Sequence, residues 1–142
     1  MRYLLDTNIF IFACTDMEEI APDVAKILAD YENSFILSVE SIREIVMLIK
    51  GGKISDKIWR SYADIRASLD AHGIEIRYIS ESHLKTLYNL RPASHPSDLA
   101  DLMIIAQAIT EDIPLISSDT KFPLYIRQGL KSVLNKRPNA KL

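Results

Sequence analysis

The chain has 142 residues, 48% hydrophobic and 25% charged, and carries a formal net charge of −2. Those proportions are those of one globular domain spanning residues 1–142, and they exclude disordered, collagen-like and coiled-coil chains. A single cysteine, Cys14, excludes an intrachain disulfide, and its apolar neighbours Ile11, Phe12 and Ala13 suggest a buried structural thiol.

The opening apolar run meets Asp6 almost at once and is too short for a signal-peptide core. No other stretch approaches the length of a membrane span, so a soluble cytoplasmic protein without membrane association is expected. In chain order, the apolar runs Tyr3 to Leu5, Phe35 to Leu37, Ile74 to Ile79 and Pro114 to Ile116 predict four strands. Between them, Ile42, Ile45, Val46 and Ile49 fall on one helical face. The set Ile54, Ile58, Trp59, Tyr62, Ile65 and Leu69 predicts another helix, with its Trp59 stripe turned to the core or a subunit contact. Leu84, Leu87 and Tyr88 mark a short helix, and Leu102, Ile105, Ala106 and Ile109 a longer one. Gly51-Gly52 and the segment from Pro92 to Ser97 read as loops. Strands alternating with helices, with no hairpin turn between them, predict an α/β fold around a mainly parallel sheet.

In such sheets ligands gather outside the carboxyl ends of the strands. Asp6 directly follows the first strand, with Thr7 and Asn8 beside it, and Asp119 directly follows the fourth, two residues after Ser117. Glu44 lies in the first turns of the helix after the second strand. Asp98 and Asp101 open the helix before the fourth. Each acid has an ordinary explanation when taken alone. Asp6 can cap a helix, Ser41 and Glu44 have capping-box spacing, Asp98 and Asp101 can complement a helix dipole, and Asp119 can form a turn. None of these explains why all fall at one end of one sheet.

Clustered carboxylates repel one another unless a cation lies between them. Oxygen donors without His or Cys suit Mg²⁺ or Mn²⁺, and that pairing points to phosphodiester hydrolysis. The histidines His72, His83 and His95 show no ligand spacing and read as surface residues, and no nucleophile elbow, phosphate-binding loop or dinucleotide fingerprint is present. After Asp119 no acid occurs, while Lys121, Arg127, Lys131, Lys136, Arg137 and Lys141 make the segment 120–142 basic. That segment is either a solvated surface or a phosphate-contacting one.

Four segments together resemble, in order, the signatures of PIN-domain proteins, and most of all the VapC-type toxins of bacterial toxin–antitoxin systems. They are Leu4-Leu5-Asp6-Thr7-Asn8, Ser41-Ile42-Arg43-Glu44-Ile45, the run from Asp98 to Ala108, and Leu115 to Phe122. The resemblance runs from Met1 to about Phe122. It implies a three-layer α/β/α sandwich, and an Mg²⁺- or Mn²⁺-dependent endoribonuclease that forms a homodimer and is restrained by an antitoxin protein. It implies that Asp6, Glu44, Asp101 and Asp119 bind metal, that Asn8 and Ser117 support them, and that Asp98 is the first acid of a D-x-x-D pair. The chain departs from the family at Asp98-Leu99-Ala100-Asp101, where Asp-Pro-Phe-Asp is common, and at Leu48, where a Lys is frequent.

Two other readings of the acids differ in class: a PIN-like module that binds RNA or a partner without cutting, and a phosphatase of the haloacid dehalogenase type. The phosphatase needs a second Asp where Asn8 stands. A response-regulator receiver would need an early acidic pair and a late Lys, and that order is absent.

Overall fold

The computed structural model describes residues 1–93 and 101–138. Asp98, His95 and Lys141 lie outside the described residues. The elements are β1 (Arg2–Leu5), α1 (Thr7–Thr15), α2 (Pro22–Ala29), β2 (Ser34–Ser38), α3 (Val39–Lys50), α4 (Tyr62–Ala71), β3 (Ile74–Arg77), α5 (Glu81–Asn89), α6 (Leu102–Glu111), β4 (Leu115–Ser117) and β5 (Ser132–Leu134). Short 3₁₀ segments at Met17–Glu19 and Phe122–Gln128 complete them.

The five strands form one sheet in the order β3-β2-β1-β4-β5, and every pairing is parallel. Adjacent side chains on a strand point to opposite faces, and the core follows that alternation. Leu5, Leu37 and Ile116 pack on one face beneath α1, α2, α3 and α4. Leu4, Ile36 and Leu115 pack on the other, against α6, α5 and the 3₁₀ segment that carries Phe122 and Tyr125. The result is the expected α/β/α sandwich, closed by two separate apolar layers.

Four details differ from the sequence reading. β5 has no counterpart among the predicted strands; it is a short edge strand of partly buried residues inside the basic segment, joined to β4 with Ile116 opposite Val133. α1 is apolar all round, which erases the periodicity that would announce it. The predicted helix over 54–69 begins only at Tyr62. Gly52 at φ +73 turns the chain after α3, and Ser61, in extended backbone, caps α4 by accepting the Asp64 N–H. Ile58 and Tyr62 are therefore exposed, while Trp59 is still buried, stacked on Phe10 at 5.9 Å with its indole N–H donated to Ser68 Oγ. Finally, His83 is a core residue, not a surface one. Its Nδ1 accepts the Ser80 N–H and its Nε2 lies 2.7 Å from Glu111 Oε2, which ties α5 to α6.

Candidate active site at the sheet switch point

From β1 the chain steps outward through β2 to β3, then returns across the sheet to place β4 on the other side of β1. The reversal sets the carboxyl ends of β1 and β4 side by side at the switch point, the position where open α/β sheets bind ligands. Asp6 leaves β1 there and Ser117 ends β4 there, and the Asp6 N–H is donated to the Ile116 carbonyl at 2.9 Å.

Asp6 is 5% exposed. Its carboxylate caps α1, accepting the Thr7 N–H at 2.8 Å, and also accepts the Ser117 hydroxyl at 2.7 Å. Ser117 Oγ in turn accepts the Asp119 N–H at 3.0 Å, so one hydroxyl fixes both acids. Asp119 also turns its own loop, accepting the Lys121 N–H at 2.8 Å. The capping and turn roles expected of Asp6 and Asp119 are thus real, and they coexist with a shared location.

Burial drives the Asp6 carboxyl up from 3.8 to about 6. The hydrogen bonds from Ser117 and Thr7 oppose that rise, and the negative charges of Glu44 and Asp119 add to it. Those last two contributions place Glu44 and Asp119 within electrostatic reach of Asp6.

The capping-box explanation of Glu44 does not hold. α3 starts one turn earlier than that spacing supposes, with Ser38 as its cap, its hydroxyl accepting the Glu40 N–H. Ser41 is buried inside the helix and accepts the Thr7 hydroxyl at 2.9 Å, which fastens α3 to α1. Glu44, freed from capping, lines a cavity of about 40 Å³ with Glu40, Arg43, Asp101 and Ile104. Asp101 stands at the start of α6, and its side chain does not cap that helix.

Asn8 keeps its Oδ1 buried without a hydrogen-bond partner among the described residues, a costly state for a polar atom in the absence of a donor or cation. Among the described residues no group of three or more acids, His or Cys is already drawn together tightly enough to grip an ion. The acids form an open arrangement, Asp119 and Glu44 around Asp6, with Asp101 beside Glu44. A roomier apolar hollow of about 350 Å³ by α1 and α2 is lined by none of them.

Glu40 and Arg43 escape the sequence reading. The Glu40 to Glu44 spacing of four, which puts both on one helix face, is the available signal. The basic segment is not a uniform surface. Lys131 pairs with Asp112 at 3.0 Å, while Arg137 bonds Glu19 and lies 5.1 Å over the Phe12 ring. Cys14 is half-buried against the core, and burial pushes its thiol up to about 11. No described helix is long and apolar enough to cross a membrane.

Comparison with known proteins accords with this fold. A VapBC2 assembly from Rickettsia felis, bound to a DNA fragment from its promoter, contains a chain 22% identical to this one. The match has a TM-score of 0.68 and covers 96% of this chain and all of that one. VapBC-1 from nontypeable Haemophilus influenzae matches at 24% identity and TM-score 0.61, over 94% of this chain and 98% of the other. A domain of unknown function from Methanocaldococcus jannaschii matches at 17% identity and TM-score 0.56, over 99% and 95%. No curated protein matches the sequence significantly. The PIN domain family model matches residues 3–126, and the chain belongs to the PIN-domain family.

Proposed function

We propose that this chain is a divalent-metal-dependent endoribonuclease, the toxin of a VapBC-like pair. The observation that supports the reading is that the charges of Glu44 and Asp119 both reach the buried Asp6 carboxyl at the end of β1, which is raised first by its burial and further by those two neighbours. Uncompensated, that arrangement costs stability, and a cation relieves the cost. An all-oxygen donor set suits Mg²⁺ or Mn²⁺, and Asn8, two residues after Asp6, carries a buried Oδ1 with no partner among the described residues. Magnesium retains several waters and needs only one or two direct carboxylates, so an open arrangement of acids fits it.

In this reading Asp6, Asp101 and Asp119 hold the ion directly or through water, with Asp98 as a further carboxylate. A divalent ion bound there supplies Lewis acidity and a more acidic water for phosphodiester hydrolysis. Glu44, partly exposed beside the Asp101 cavity, orients the attacking water and accepts its proton. Ser117 keeps Asp6 and Asp119 in fixed register, and Asn8 supports the metal's water shell. Lys50, Lys53 and basic side chains of the C-terminal segment contact RNA phosphates. The near-complete overlap with chains of two VapBC assemblies supports an antitoxin partner, and a homodimer in the cytoplasm completes the proposal.

The test is cleavage of a mixed-sequence RNA with Mg²⁺ and with EDTA, alongside a small phosphomonoester. Metal-dependent RNA cleavage that Asp6→Asn and Asp101→Ala both abolish is expected. RNA binding without cleavage would favour the silent module, and hydrolysis of the monoester alone would favour the phosphatase.

A further inference from the structure

We propose that Arg43 is a phosphate-contacting residue at the mouth of the acid site, parked on Glu40 until RNA arrives. The inference rests on the ribonuclease reading and deepens it. Residues 40, 43 and 44 share one face of α3, and that face meets Asp101 and Ile104 at the start of α6. The cavity they enclose, about 40 Å³, has room for a water or a small ion but not for a nucleotide. A polynucleotide must therefore stay outside, at the rim.

That rim is electrostatically hostile to RNA. Glu40, Glu44 and Asp101 line it, and the protein as a whole carries a charge of −2. Arg43 is the single basic side chain among the described residues that line the cavity. It leans out of it, 60% exposed, whereas Glu40 is 19% exposed. Its Nε donates to Glu40 Oε1 at 3.1 Å and its Nη2 donates to the same oxygen. The guanidinium is thus pinned at one point and not matched as a two-pronged fork. The neighbouring Glu44 charge attracts it as well, more weakly than Glu40 does.

An exposed ion pair between neighbours on one helix is weak, because water screens both charges. A phosphodiester offers two oxygens at the spacing of the guanidinium fork and no such loss of geometry. Exchange of Glu40 for a backbone phosphate is therefore inexpensive, and it carries one positive charge toward the scissile bond. Lys50 lies nearly two turns further along α3 and does not line this cavity.

The experiment compares Arg43→Gln, Arg43→Lys and Glu40→Gln with the wild-type chain. It uses Mg²⁺-dependent cleavage of a short RNA, and binding of the same RNA in EDTA followed by anisotropy across a salt series. Arg43→Gln should raise KM and the dissociation constant by roughly tenfold and reduce the salt slope by about one phosphate contact, with Tm unchanged. Arg43→Lys should recover part of the affinity. Glu40→Gln, by releasing Arg43, should move KM and the dissociation constant the opposite way. If Arg43→Gln and Glu40→Gln shift them in the same direction, the pair is a structural brace and the proposal is overturned. Wild-type affinity in Arg43→Gln overturns it too. A wild-type chain that neither cuts nor binds RNA overturns the underlying ribonuclease reading along with it.

Discussion

Asp6 joins three tasks in one side chain: it caps α1, receives the Ser117 hydroxyl, and faces the charges of Glu44 and Asp119. Its proton affinity in the folded protein, raised from 3.8 to about 6, makes it a net liability at neutral pH. Below 3.8 the carboxyl is protonated in both the folded and unfolded chain and imposes no penalty. As pH climbs from 3.8 to about 6 the unfolded chain ionises first, so stability falls, and above that range the loss is complete. A rise of that size destabilises the fold by about 3 kcal/mol. Asp6→Asn keeps an oxygen to accept the Thr7 N–H and removes the charge. Its Tm should exceed that of the wild type by roughly 5–10 °C near neutral pH, and the gap should close in acid. Thermal melts across a pH series check this, and a gap independent of pH would contradict it. The location of Asp6 is legible in the sequence, because an Asp directly after a strand needs no tertiary information. Its burial is not, since that depends on β4 and α3 closing over it.

Among the elements, the segment after the 3₁₀ helix departs most from the sequence reading. Its positive charges suggest a surface, yet it contributes β5, and just beyond β5 the side chain of Asn135 is 1% exposed. Asn135 Oδ1 accepts the Ala21 N–H at 2.7 Å, and its Nδ2 donates to the Glu19 carbonyl and to Ser118 Oγ at 2.9 and 2.8 Å. One side chain thus joins the loop before α2 to the loop that carries Asp119. Asn135→Ala strands two buried polar groups and one partly buried one and should cost about 3 kcal/mol, read as a lower urea midpoint with an unchanged slope. Nothing local marks Asn135 for this role, because all three partners are far away in the chain or across the sheet. α3 shows the converse error. The spacing of Ser41 and Glu44 fits a capping box, but the apolar stripe lets the helix begin at Val39, and Ser38 takes the cap instead.

At the scale of the molecule, the acids sit on separate elements, so whatever relieves their repulsion also braces the sheet against α3 and α6. Binding of a divalent ion to the folded chain alone should raise stability by about 2.7 kcal/mol at a hundredfold excess over its dissociation constant. Titration with Mg²⁺ should therefore raise the wild-type Tm and leave that of Asp6→Asn nearly unmoved. The rise should shrink below pH 6 or so, where protons compete for Asp6. An equal rise in both proteins would place the ion elsewhere.

The sequence by itself determined the alternation of strands and helices, the position of Asp6 and Asp119 at strand ends, and the all-oxygen character of the candidate site. These follow from periodicity and residue chemistry, which are local properties. Only the tertiary structure decided that β1 and β4 are neighbours across the switch point, that Ser117 bonds Asp6 across 111 residues of chain, and that Glu44 and Asp101 line one cavity. Each depends on which strand pairs with which. That choice is made by the burial of two apolar faces at once, an energy that no single segment carries.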